Sequence, residues 1–142
     1  MILELLIIIF LLWIWSGSFV PDYCYSLTPD QEMLQRLERD LNSLFQGDRP
    51  PKYHLLASLN RSYVSNKENI YLVLRHPERG NFFDYSTLLQ VAIHEMAHII
   101  CIDANHSKLF HQIEGQLKDR AISKGLLPSY FQPDPDYPCQ DE

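Results

Sequence analysis

Residues 91–110, VAIHEMAHIICIDANHSKLF, constrain this chain more than any other stretch. Val91, Ala92, Ile93, Met96, Ala97, Ile99 and Ile100 describe a helix that is apolar over most of its circumference, and into it are set His94, Glu95 and His98. A lone core histidine can be satisfied by one hydrogen bond. Two histidines and a glutamate in a dry helix are costly without a partner. Residues four apart share a helix face, so His94 and His98 can aim two imidazoles at one point, and zinc takes neutral imidazole at about 2.0–2.1 Å. Glu95 falls beside that point, where its carboxylate can take a proton from a water activated by the metal. With six histidines and eight glutamates in 142 positions, H-E-x-x-H arises by accident in about one such chain in seventy. The apolar flanks and the polar residues downstream weigh against accident.

A third ligand must come from downstream. The metzincin pattern would put a histidine six residues after His98, but Ala104 stands there. His106, His111 and Glu114 remain. His106 follows the break "DAN", and Asn105 tolerates the left-handed backbone that a sharp reversal requires. Such a reversal would return the start of the next helix to the metal. If that helix begins at His106, Phe110 shares its face and packs beneath the ligand. Glu114, the ligand type of thermolysin-like enzymes, is the reserve, and His111 comes last. Other polar residues have a plainer alternative. Cys101 could lie behind the site or ligate, but a buried free cysteine usually just fills space. Asp103 could orient an imidazole or cap a loop. Tyr130 and Tyr137 could donate to an oxyanion, although tail tyrosines more often pack. His54 and His76 read as ordinary.

The run TLLQVAIHEMAHIICIDANHSKLF resembles the WLM and SprT-like zinc metallopeptidases, small zincins in which H-E-x-x-H is followed by a short loop and H-x-x-x-F. It resembles in particular the compact versions predicted in large DNA viruses. The likeness runs from ENIYLVLR through AISKGLL to the late DYPC, about half the chain, and omits both the N-terminus and the helix after Thr28. It implies His94, His98 and His106 as zinc ligands and Glu95 as catalytic base. Those relatives commonly carry glycine before the third histidine, where this chain has Asn105. The cellular members cleave proteins crosslinked to DNA, a role that needs DNA-binding segments. A net charge of -6, with twelve basic residues scattered rather than clustered, excludes a general phosphate-binding surface. The partner expected is therefore a protein or peptide substrate, with no nucleic acid evident.

The chain length suits one domain, an α+β minimal zincin-like fold with a short sheet packed on the H-E-x-x-H helix. Thr28, Pro29 and Gln31 form a capping signature. Leu34, Leu37, Leu41, Leu44 and Phe45 then recur at helical spacing until Gly47 and Pro50–Pro51 end the pattern. Strands are expected at Tyr53–Leu59 and Ile70–His76, with SNKEN as a polar break before the second. Helices follow from near Asp84–Ser86 to Ile102 and from about His106 to Lys124, stopped by Gly125. The proline-rich tail, 128–142, should wrap the surface as coil.

Residues 1–20, MILELLIIIFLLWIWSGSFV, carry one charge, Glu4. About twenty apolar residues span a bilayer, and Trp13 and Trp15 suit an interface. A signal peptide cut near SGS is the competitor, but no Lys or Arg precedes the apolar run. The expectation is a transmembrane anchor over 1–20, a spacer over 21–28, a metallopeptidase domain over 29–127 and the tail. Cys24, Cys101 and Cys139 form no C-x-x-C pair. Asn60-Arg61-Ser62 and Asn105-His106-Ser107 fit the glycosylation acceptor, and a glycan on Asn105 would crowd the cleft. Both features lean towards a cytoplasmic catalytic domain. The rival expectation is a catalytically inactive zincin-like membrane structural or interaction protein.

Overall fold

The computed structural model describes residues 26–103 and 105–138, together with Met1, Ile2 and Glu4. Among them are three helices and three strands: α1 (Pro29–Ser43), β1 (His54–Ser58), β2 (Tyr63–Ser65), β3 (Asn69–Val73), α2 (Tyr85–Ile100) and α3 (Lys108–Ser123). The α+β expectation holds.

Each helix starts where a side chain can take up an orphan backbone N–H. At α1 the capping box is complete: Gln31 N–H reaches Thr28 Oγ1 at 3.3 Å, and Thr28 N–H reaches Gln31 Oε1 at 2.9 Å. Asp84 caps α2 through Thr87 N–H at 3.0 Å, and Ser107 caps α3 through Phe110 N–H at 3.2 Å. The helix ends are met from a distance. Arg120 of α3 donates to the Leu44 carbonyl after α1 at 3.0 Å. Lys67 does the same for α2. Both put a cation at the negative end of a helix dipole.

The sheet has the order β1-β3-β2, with β1 parallel and β2 antiparallel to β3. Strand β2 went unforeseen. Tyr63 and Val64 precede the polar break SNKEN, which holds the last residue of β2, Ser65, then a hairpin turn, and then the first residue of β3, Asn69. Asn66 and Lys67 sit in that turn with φ of 54° and 53°, a pairing that matches the twist of the flanking strands. Ile70 and Leu72 of β3 point into a core shared with Leu37 and Leu41 of α1, Leu88, Leu89, Ala92, Ile93 and Met96 of α2, and Leu117 of α3. Each such leucine contributes about 1.5–3 kcal/mol by leaving water. The near-continuous apolar surface of α2 thus faces α1, the sheet and α3 at once, leaving one stripe of half-exposed positions that includes His94 and His98.

The tail 128–138 is irregular, as expected, but it is not only a surface wrap. Tyr137 is buried against Phe83, with ring centroids 4.7 Å apart, and hydrogen-bonds Ser62. Asp134 approaches His76 at 3.5 Å, and its N–H donates to Thr87 Oγ1 at 3.0 Å.

The membrane expectation needs correction. No helix among the described residues is long and apolar enough to cross a bilayer, so a single-pass membrane placement with a cytoplasmic catalytic domain has no support. Such a span needs about twenty apolar residues in one helix, whereas α1, α2 and α3 have 15, 16 and 16 residues. Residues 5–20, which carried the anchor expectation, and most of the spacer lie outside the described residues.

Candidate metal centre

α2 delivers His94 and His98 one turn apart, as the spacing required. It stops at Ile100, and Cys101 already has extended backbone, φ -73° and ψ 133°. The chain then turns back. The Ser107 N–H closes a three-residue turn onto the Asn105 carbonyl at 2.7 Å, with His106 at its centre. His106 therefore precedes α3 by two residues instead of opening it. The expected contact survives that shift. Phe110, fully buried, lies with its ring centroid 5.1, 4.5 and 4.7 Å from those of His94, His98 and His106.

Three imidazoles converge. His106 Nε2 is 3.2 Å from His94 Nε2 and 3.0 Å from His98 Nε2, and one ligand atom from each ring lies within 4.8 Å of the others. Tetrahedral coordination at the usual zinc–nitrogen distance sets ligand nitrogens about 3.3 Å apart. The two distances from His106 Nε2 are close to that spacing.

Glu114 explains which face of His94 is offered. Its Oε1 is 3.0 Å from His94 Nδ1 and 2.9 Å from Lys118 Nζ. Burial alone would raise this carboxyl, but the His94 and Lys118 hydrogen bonds and the Lys118 charge hold it down at about 2. A carboxylate there assigns the His94 proton to Nδ1 and leaves the Nε2 lone pair free. One N–H on His106 Nε2 could serve only one of its two facing nitrogens. A cation between the three satisfies all of them, so the donor set fits a zinc ion.

Burial, then the neighbouring His94, His106 and Lys67, push His98 down to about 4, which keeps it a neutral donor. Glu95, only 5% exposed, is pushed up to about 7 by burial, with His94 drawing it partly back. A general base is most effective with a pKa near the working pH.

The other candidates fall into place. Glu114 sits behind His94 instead of joining the nitrogen cluster. His111, 64% exposed, stands 3.8 Å from Glu114 Oε2. Cys101 is buried beside Ala97 and Phe110. Asp103 is exposed, and the carboxylate that holds a cluster imidazole is Glu114. Tyr137 packs, Tyr130 is exposed, His54 lies near Glu68, and His76 is buried under Phe83. Lys67 was missed. Its Nζ donates to the carbonyls of His98 at 3.1 Å and Cys101 at 2.5 Å. The two sites are more than thirty residues apart in the chain, and no local pattern links them.

The WLM domain family matches residues 49–129, from just before β1 to just past α3. The chain belongs to the WLM domain family. Two relatives of this WLM protein are viral. An uncharacterized protein, 042R of Invertebrate iridescent virus 3, is 32% identical over 120 residues, covering 74% of this chain and 73% of that protein. Uncharacterized protein 136R of Invertebrate iridescent virus 6 is 37% identical over 68 residues, covering 46% of this chain and 38% of that protein. No solved structure matches this WLM chain. The family bears out the resemblance drawn from the motif, and with the histidine cluster it supports a metallopeptidase-like function.

Proposed function

We propose that this protein is a zinc-dependent peptidase, with His94, His98 and His106 as the metal ligands and Glu95 as general base. The observation that carries this is the meeting of three Nε2 atoms at 3.0 and 3.2 Å above a buried phenylalanine, with a carboxylate fixing the tautomer of one ring. Bound there, zinc supplies Lewis acidity that polarises a scissile carbonyl and acidifies water. The chain's own residues do the rest. Glu95, with a pKa near neutrality, accepts the proton of the attacking water and returns it to the leaving amine. Phe110 blocks water from the floor of the cluster, and Glu114 keeps the His94 ring in register. β2 is an edge strand of the sheet beside α2, and its free backbone groups suit an extended peptide added as a further strand. That edge supports a reading in which the substrate is a protein or peptide.

The test uses the full-length chain and its Glu95→Gln variant, with zinc per chain measured beside hydrolysis of unfolded protein substrates. Both should carry one zinc, and only the wild type should cleave. A wild-type chain without zinc overturns the proposal. A zinc-loaded wild type inert on every substrate favours a zincin-like scaffold instead.

A further inference from the structure

Lys67 occupies a position where glycine is the ordinary choice. Around the β2–β3 turn, the Ser65 carbonyl accepts from Glu68 N–H at 3.1 Å, and Asn66 and Lys67 both adopt left-handed backbone. Hairpins of this type favour Asn-Gly, because the second residue otherwise sets its Cβ against the neighbouring carbonyl. What lysine brings in place of glycine is reach. Its Nζ bridges the carbonyls of His98 and Cys101 at 3.1 and 2.5 Å.

Those two carbonyls lie at the point where the chain leaves α2. The last carbonyls of a helix lack intrahelical partners, and its end carries partial negative charge. The only basic residue in the last turn of α2 is His98, and a histidine that ligates zinc is neutral. The compensating cation therefore comes from the hairpin. The Cys101 carbonyl also sets the direction of the loop that must bring His106 back within 3.0 Å of His98. Asp103 and Ile102 in that loop are exposed, so packing of their side chains contributes little to its course.

We infer that Lys67 is a positioning residue for the histidine cluster, clamping the end of the ligand-bearing helix to the hairpin so that the loop returns His106 to the other two rings. The inference rests on the zinc-site proposal above. It gives the left-handed lysine a function that glycine, although it would relieve the turn, could not perform.

The experiment takes full-length wild type, Lys67→Gly, Lys67→Met and Lys67→Arg. For each, the zinc dissociation constant is measured by chelator competition, the Tm of the metal-free form by calorimetry, and amide exchange over residues 101–107 by mass spectrometry. Lys67→Gly should leave the metal-free Tm equal or higher, weaken zinc about tenfold, as loss of an outer-shell partner does, and speed exchange in that loop. Lys67→Met should weaken zinc similarly. Lys67→Arg, which can still donate to two carbonyls, should stay near wild type. Unchanged zinc affinity in both Lys67→Gly and Lys67→Met overturns the inference. So does a fall in metal-free Tm in Lys67→Gly with faster exchange throughout the domain, which would make Lys67 part of the general scaffold. Wild type that binds no zinc overturns the site itself, whereas wild type that binds zinc beside unaltered variants overturns only the role of Lys67.

Discussion

Replacing Glu114 with alanine separates the two places this carboxylate could stand, behind a ligand or on the metal. Its Oε1 lies 3.0 Å from His94 Nδ1, and its charge is maintained through the neutral range because the carboxyl is held at about 2. A hydrogen bond to a charged group is worth about 1.5–3 kcal/mol, which converts to roughly 10- to 150-fold in an equilibrium constant. The bond is already formed without metal, so only the part that selects the tautomer and ring orientation is felt on zinc binding. About tenfold weaker zinc is therefore expected for Glu114→Ala, near the lower end of the range for outer-shell partners. Glu114→Gln keeps an acceptor for His94 while losing the charge, and should fall between alanine and wild type. His106→Ala removes a donor atom and should weaken zinc far more than either. Competition against a chromophoric chelator at pH 7 orders the variants, with the metal-free Tm measured alongside. If Glu114→Ala abolished zinc binding while His106→Ala spared it, the carboxylate would be the third ligand and the argument from converging nitrogens would be wrong. If Glu114→Ala bound zinc as wild type does, the tautomer argument would fail.

Glu95 and His98 predict opposing pH effects in the metal-free protein. Glu95 has a folded pKa raised from 4.5 to about 7, so its share of stability is present below 4.5 and lost as pH rises towards 7; His98, lowered from 6.5 to about 4, has its share above 6.5 and loses it as pH falls towards 4. Metal-free Glu95→Gln should accordingly exceed wild type in stability by a margin that grows from pH 4.5 to 7, reaching at most about 3 kcal/mol, and a pH-independent margin in urea titrations would refute this. Phe110→Ala should destabilise the fold by about 3–5 kcal/mol, visible as a lower urea midpoint. It should also weaken zinc, because all three rings rest on that side chain; unaltered zinc affinity would deny Phe110 any role in holding the cluster.

Much of the site could be read before any coordinates, for a definite reason. His94 and His98 belong to one helix, and a helix converts a spacing of four into a shared face by local geometry alone. The same holds for the caps at Thr28 and Asp84 and for the apolar rows of α1 and α2, where neighbours in sequence are neighbours in space. Errors came where that link fails. β2 is three residues long, too short for an alternating pattern to register, and it exists because β3 offers it a partner. The start of α3 moved from His106 to Lys108 because Ser107 provides the capping oxygen. The membrane anchor was drawn from composition, and none of the described helices supports it.

The sequence by itself determined an amphipathic scaffold, a pair of imidazoles with a neighbouring carboxylate, and a short list of residues for the third position. Tertiary structure placed them: the His106 ring meets the pair, Glu114 stands behind His94, and Lys67 reaches across from a hairpin to the helix end. The physical reason is range. Spacing within a helix is set by hydrogen bonds four residues apart, whereas the meeting of a loop, two helices and a hairpin at one point depends on how their buried faces pack together.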